Sequence, residues 1–163
     1  MMTIERLFWF PLLAAALHIF EEFVWPGGFA AWYRWYRPDL APTVTVRFLV
    51  TVNLALLFAC VAIGVDGPSK FGAALFLTIT SLLFGNGVFH LSATLRRKRY
   101  APGLITGVLL YLPLAVVGYA TVRRLHLASI GTAVVAAILG GSYQWVSWSI
   151  HGARAARRSQ RIN

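Results

Sequence analysis

Five stretches of the chain are each apolar over roughly the 20 residues that a helix needs to cross the hydrocarbon core of a bilayer. They run from Ile4 to Val24, Thr43 to Val65, Phe71 to Leu95, Ala101 to Val122 and Leu125 to Ile150. No other feature constrains the fold as much. With 58% hydrophobic and 12% charged residues and a mean hydropathy of +0.68, the 163 residues have too little polar surface to cover a soluble core. The same numbers exclude intrinsic disorder. The predicted class is all-α: one transmembrane domain over residues 1–163, a polytopic bundle of five membrane helices with a short interfacial helix after the first. Pro42, Pro68 and Pro102 fall in or beside the gaps, where a missing backbone donor matters least. Pro11 and Pro113 lie inside runs and predict kinks. Apolar residues continue past Ala14, Ala15 and Ala16 to Val24, so the first run reads as an uncleaved span and not as a signal peptide.

The net charge of +10 sits in the gaps between apolar runs, which points to topology and not to nucleic acid. One side of the bilayer would carry Arg6, Lys70, Arg123 and Arg124. The other would carry Arg34, Arg37, Arg47, Arg96, Arg97, Lys98, Arg99 and the tail residues Arg154, Arg157, Arg158 and Arg161. The positive-inside rule then places the N-terminus outside and the basic tail, residues 151–163, in the cytoplasm. The longest gap holds Trp25, Trp32, Tyr33, Trp35 and Tyr36. It reads as an aromatic belt at the headgroups in preference to a lid over a substrate. Gly103 with Gly107, and Ala133 with Ala137 and Gly141, read as faces for close helix packing, with homo-oligomers possible. Cys60 is alone, so neither an intrachain disulfide nor a cysteine metal cluster is expected.

Ionisable residues within a span are costly, and each is a functional hypothesis. The first run contains His18, Glu21 and Glu22, and the third contains Asn86 and His90. His18 lies one helical turn from both carboxylates, and Asn86 and His90 are likewise one turn apart. At a rise of about 1.5 Å per residue, all five fall within roughly 4–12 Å of midspan on the cytoplasmic side. Thr106 and Gln144 reach a similar depth, whereas His126 and His151 read as interfacial. The polar groups converge on one layer.

Two imidazoles and a carboxylate, drawn from His18, His90, Glu22 and Glu21, suit a single zinc or iron ion. Without a metal, two adjacent carboxylates beside a histidine suit acid/base catalysis, such as double-bond isomerisation or cyclisation of a lipid-soluble molecule. Trp145 and Trp148 could stack on a cationic intermediate or anchor the interface equally well. Neither a nucleophile elbow nor a glycine-rich phosphate loop is present in the sequence.

Three segments carry a family resemblance. "HIFEE", "NGVFH" and "RYAPGLITG" occur in that order from His18 to about Gly107, and together they resemble the HXXEE family of small bacterial membrane proteins. The resemblance implies a helical membrane protein with an enzymatic or metal site at His18, Glu21, Glu22, Asn86 and His90. The reading that follows is an intramembrane enzyme of the inner membrane, with its site toward the cytoplasmic leaflet and a lipid-like substrate. A small-solute or proton-coupled transporter and a non-enzymatic membrane partner are the alternatives.

Overall fold

The computed structural model describes residues 3–159. All regular structure among them is helical. Helix α1 spans Ile4–Phe23, α2 Phe29–Tyr36, α3 Val46–Asp66, α4 Lys70–Arg97, α5 Leu104–Arg124, α6 Ile130–Gly141 and α7 Tyr143–Ser159. A 3-10 turn, Ala41–Thr43, leads into α3. Hydroxyl residues start three of the helices. Thr45, Ser69 and Ser129 accept from the backbone N–H of Phe48, Gly72 and Thr132, at 3.2, 2.9 and 3.0 Å. Each satisfies one of the donors that a helix N-terminus leaves open.

Four helices are long and apolar enough to cross a membrane: α3, α4, α5 and the nearly continuous Ile130–Arg157. The first helix has similar length but carries Glu5, Arg6, Glu21 and Glu22, and it falls outside this group. The surface is that of a protein surrounded by apolar solvent. Phe58, Val65 and Trp145 are more than 70% exposed, and only 11% of the most apolar stretch of α3 is buried. Side chains of this kind leave water only if lipid or another apolar phase covers them.

Helix α4 is the hub, packed against α1, α3, α5, α6 and α7. Two close crossings hold it. A Cβ on Gly140 would lie 2.1 Å from the carbonyl oxygen of Thr78, and one on Gly87 would lie 2.8 Å from that of Gly107. The small-residue face of α6 is therefore Ala133, Ala136 and Gly140; Ala137 and Gly141, expected in that role, are exposed. Gly103 and Gly107 also pack within the chain. Thr78, Thr80 and Ser81 donate their hydroxyl protons to carbonyls one turn back in α4 at 2.8 Å, so none leaves a polar group facing the apolar interior.

Pro113 is accommodated by a widened turn. Gly107–Tyr111 winds as a π-helix immediately before it, which absorbs a residue whose ring clashes with the preceding turn and whose backbone has no donor. Pro11, in contrast, sits inside an uninterrupted α1. Residues 151–159 continue α7 instead of beginning a separate tail; Arg161 lies outside the described residues. His151 is 2% exposed, against the interfacial position expected of it. Its Nδ1 lies 2.8 Å from Thr43 Oγ1, and its ring packs edge-on to Phe48.

Candidate functional site

His18 and Glu22 project from the same face of α1, one turn apart, and His90 meets them from α4. Glu22 Oε1 lies 3.5 Å from His18 Nε2 and 3.2 Å from His90 Nε2. All three residues are buried, and their potential ligand atoms lie within 4.8 Å of one another. The two Nε2 atoms contact Glu22 Oε1 at ion-pair distance without hydrogen-bond alignment, and His90 Nδ1 has no hydrogen-bond partner. Buried polar atoms are nearly always well paired, so two Nε2 atoms meeting one carboxylate oxygen without good alignment need an explanation.

The proton on His18 can be located from its neighbours. Thr106 donates its hydroxyl proton to Glu21 Oε2 at 2.5 Å, and that hydroxyl lies 2.8 Å from His18 Nδ1. A hydroxyl has one proton, so Thr106 Oγ1 accepts from His18 Nδ1–H. With its proton on Nδ1, the ring turns Nε2 toward Glu22 and His90.

Glu21 occupies a different environment. Its Oε1 accepts from the hydroxyl of Tyr100 at 2.5 Å and from the N–H groups of Gly103 and Ile105 at 3.1 and 2.9 Å. Its Oε2 accepts from the N–H and hydroxyl of Thr106 at 2.7 and 2.5 Å. These donors include the open N–H groups of the first turn of α5, where the helix dipole favours an anion. Glu21, expected beside Glu22 among the metal ligands, thus has both oxygens engaged in docking α1 onto α5. Burial, with the Glu21 carboxylate beside it, pushes the Tyr100 phenol above its ordinary range and keeps it a donor.

The remaining walls are close. Gly103 starts α5 with φ of +98°, and a Cβ there would lie 2.7 Å from His18 Cε1 and 2.8 Å from His90 Cε1. Only glycine meets both demands. The widened turn in α5 brings Tyr111, 1% exposed, to a ring distance of 4.5 Å from His18, and its hydroxyl is unpartnered. From α2, Phe29 and Trp32 cover His90 at ring distances of 5.9 and 6.4 Å. The aromatic segment is therefore divided: Trp32 and Tyr33 turn inward over the site, while Trp25 and Trp35 remain exposed. The expected preference for an aromatic belt over a lid overlooked the inward face.

Asn86 is half-buried with an unpartnered Oδ1. It lines a cavity of about 340 Å³ together with His18, Glu22, Asn53, Tyr111 and apolar side chains including Leu56. A smaller cavity of about 100 Å³ runs from Glu22 past Asn86 and Gln144 to His151. Of the residues singled out from sequence, His18, Glu22 and His90 thus form one cluster. Asn86 faces the cavity beside it, and Glu21 supports it from behind. Sequence reasoning read Gly103 as a packing residue, Trp32 as part of an aromatic belt and His151 as interfacial, and did not single out Tyr111. The "PG" entry to α5 was the one available signal, for Gly103.

A family model described as "protein of unknown function with HXXEE motif" matches residues 9–118. The chain belongs to the HXXEE family. The motif itself is His18, Glu21 and Glu22, and the match also covers His90, Gly103, Thr106 and Tyr111, whereas α6, α7 and His151 lie beyond it. No curated protein and no solved structure matches the chain significantly.

Proposed function

We propose that His18, Glu22 and His90 hold a single zinc or iron ion, and that the protein is an intramembrane enzyme acting on a lipid-like substrate. The observation carrying this reading is the pair of buried Nε2 atoms that meet one carboxylate oxygen without hydrogen-bond alignment. The donor set suits such an ion, and two of its three separations already match one, while the two imidazoles, within 4.8 Å of each other, would draw together around it. Bonds of about 2.0–2.2 Å in tetrahedral geometry set neighbouring ligand atoms roughly 3.4 Å apart. Here Oε1 of Glu22 stands 3.5 and 3.2 Å from the two Nε2 atoms. Three protein ligands also leave a position open, as catalytic sites do. The Glu21–Thr106–His18 chain is the kind of outer support that fixes the tautomer of a ligating histidine.

A bound ion of this type supplies Lewis-acid polarisation of a substrate oxygen or activation of water. The residues of the chain supply the rest. Asn86 and the Tyr111 hydroxyl face the space beside the cluster and orient a polar group, while apolar walls such as Leu56 and Leu83 accept a hydrocarbon. Phe29 and Trp32 exclude water from the His90 side. Glu22 is also placed to take or return a proton.

The reading includes five spans, with α1 as the fifth. Glu21 and Glu22 are 5% and 6% exposed, so they meet protein and not lipid, and the cost of a charge in a span is offset within the bundle. It further includes α2 at the headgroups, the N-terminus outside, the C-terminus in the cytoplasm and residence in a bacterial inner membrane. The distribution of basic residues in the gaps supports this orientation.

Elemental analysis of protein purified in mild detergent without a polyhistidine tag tests the centre. The expected result is near one zinc or iron per chain, lost in His18→Ala, His90→Ala and Glu22→Gln variants that still fold. A folded wild type that neither contains nor takes up metal would sink the metal reading and leave acid/base chemistry by the same residues.

A further inference from the structure

One large cavity among the described residues touches none of His18, Glu22 and His90. It is a lateral groove of about 710 Å³ between α4, α5 and the α6–α7 pair. Its lining on α4 runs from Ser81 to Arg96, about 22 Å at the α-helical rise. That is the depth of one bilayer leaflet, headgroup region included, at about 20–22 Å. The chemistry changes along it. Ser81 and Tyr119, hydrogen-bonded to each other, close the inner end, Phe84, Val88 and Val116 make the middle apolar, and Ser92 and Arg96 make the outer end polar.

That outer end is also strongly positive. Arg96 opens the run Arg96, Arg97, Lys98, Arg99, and the nearby Arg37 lies 5.5 Å over the ring of Trp148, another groove residue. Among the described residues Arg96 has no carboxylate partner, and Asp39 is already taken by Arg37. The floor owes its depth to glycine: a Cβ on Gly141 would meet nothing within 4 Å, and one on Gly85 only the Gly141 carbonyl oxygen at 3.8 Å.

We infer that this groove binds one anionic phospholipid, its acyl chain along Phe84, Val88 and Val116 and its phosphate on Arg96. The inference goes beyond the proposed metal centre and does not depend on it. An apolar groove matched to a leaflet and ending at an arginine without a carboxylate partner among the described residues suits an anionic lipid better than a second copy of this chain, whose Glu21 and Glu22 are buried and whose Asp39 is paired with Arg37.

Native mass spectrometry of the full chain, released from detergent and titrated with phosphatidylglycerol or phosphatidylcholine of identical acyl chains, tests it. Wild type should retain one phosphatidylglycerol at about fivefold or more the occupancy of phosphatidylcholine, the scale of one basic residue at a membrane surface. Arg96→Gln should remove that preference, and Gly141→Leu should lower retention of both lipids. Arg124→Gln, an exposed arginine at the far end of α5, should change neither. Glycerol phosphate should not displace the lipid, which separates a phospholipid site from a phosphate site. Equal retention of the two lipids by wild type would overturn the inference. So would matching losses in Arg96→Gln and Arg124→Gln, or a dimer that Gly141→Leu dissociates. Circular dichroism and metal content of each variant, both expected to be unchanged, separate this result from misfolding and from failure of the metal centre.

Discussion

Glu21 and Glu22 are adjacent on α1, equally buried, and chemically identical, yet their surroundings are opposite. Glu21 accepts five hydrogen bonds. Glu22 faces two imidazoles that complete none with it. Neighbours on a helix point about 100° apart, enough to give one carboxylate the open end of α5 and the other the interior of the bundle. A saturated charge stabilises a fold. An unsaturated one, kept at a cost in stability, is where a ligand or a reaction belongs.

The contrast is most exposed to failure at Glu21. Glu21→Ala leaves five donors facing a void and should cost about 3–5 kcal/mol in reversible unfolding from detergent. A loss under about 1 kcal/mol would break the comparison outright. Thr106→Val should cost about 1–3 kcal/mol, since it removes the hydroxyl that both holds Glu21 and receives the proton of His18. It should also weaken metal binding by about 10–100-fold, measured by competition with a chelator.

Glu22→Gln tests the other side. Without metal it should stay within about 1 kcal/mol of wild type, because no hydrogen bond is lost and an amide can donate to a free imidazole nitrogen. If the proposed ion binds, it should stabilise wild type by about 2.7 kcal/mol at a hundred times its dissociation constant, and Glu22→Gln should abolish that gain.

Tyr100 sharpens the comparison through pH. Its phenol is raised in the folded state, so its contribution is fully present below the unfolded value near 10 and declines as pH rises above that. Tyr100→Phe should remove that alkaline slope and leave the profile between pH 6 and 9 parallel to wild type. The smallest effect belongs to the exposed pair Arg37–Asp39. Arg37 holds the Asp39 carboxyl below its usual range, so the pair stabilises at neutral pH and is lost in acid. Asp39→Asn should shift stability by no more than about 0.5 kcal/mol.

Much of this was visible in the chain itself. The first four apolar runs correspond to helices whose ends differ by a few residues, because a run of twenty apolar residues has few other ways to satisfy its backbone out of water; the fifth is two helices, the second ending nine residues past Ile150. The convergence of His18, Glu22, Asn86 and His90 was also visible, since helical rise alone sets depth along parallel spans. What periodicity cannot show is the partner across a helix face. The distinction between Glu21 and Glu22 required the position of the α5 N-terminus. The inward turn of Trp32 required α4 beneath α2. His151, far from Glu22 in sequence, shares a cavity with it only because α7 continues past the expected start of the tail.

By itself, then, the sequence determined an all-helical chain with helices apolar enough for a membrane, and the residues that gather in one buried cluster. Those follow from hydropathy and helical geometry, which are local. Only the tertiary structure decided which carboxylate is saturated, which nitrogens are left open and where the groove lies. These depend on groups brought together from distant parts of the chain, and no local rule specifies them.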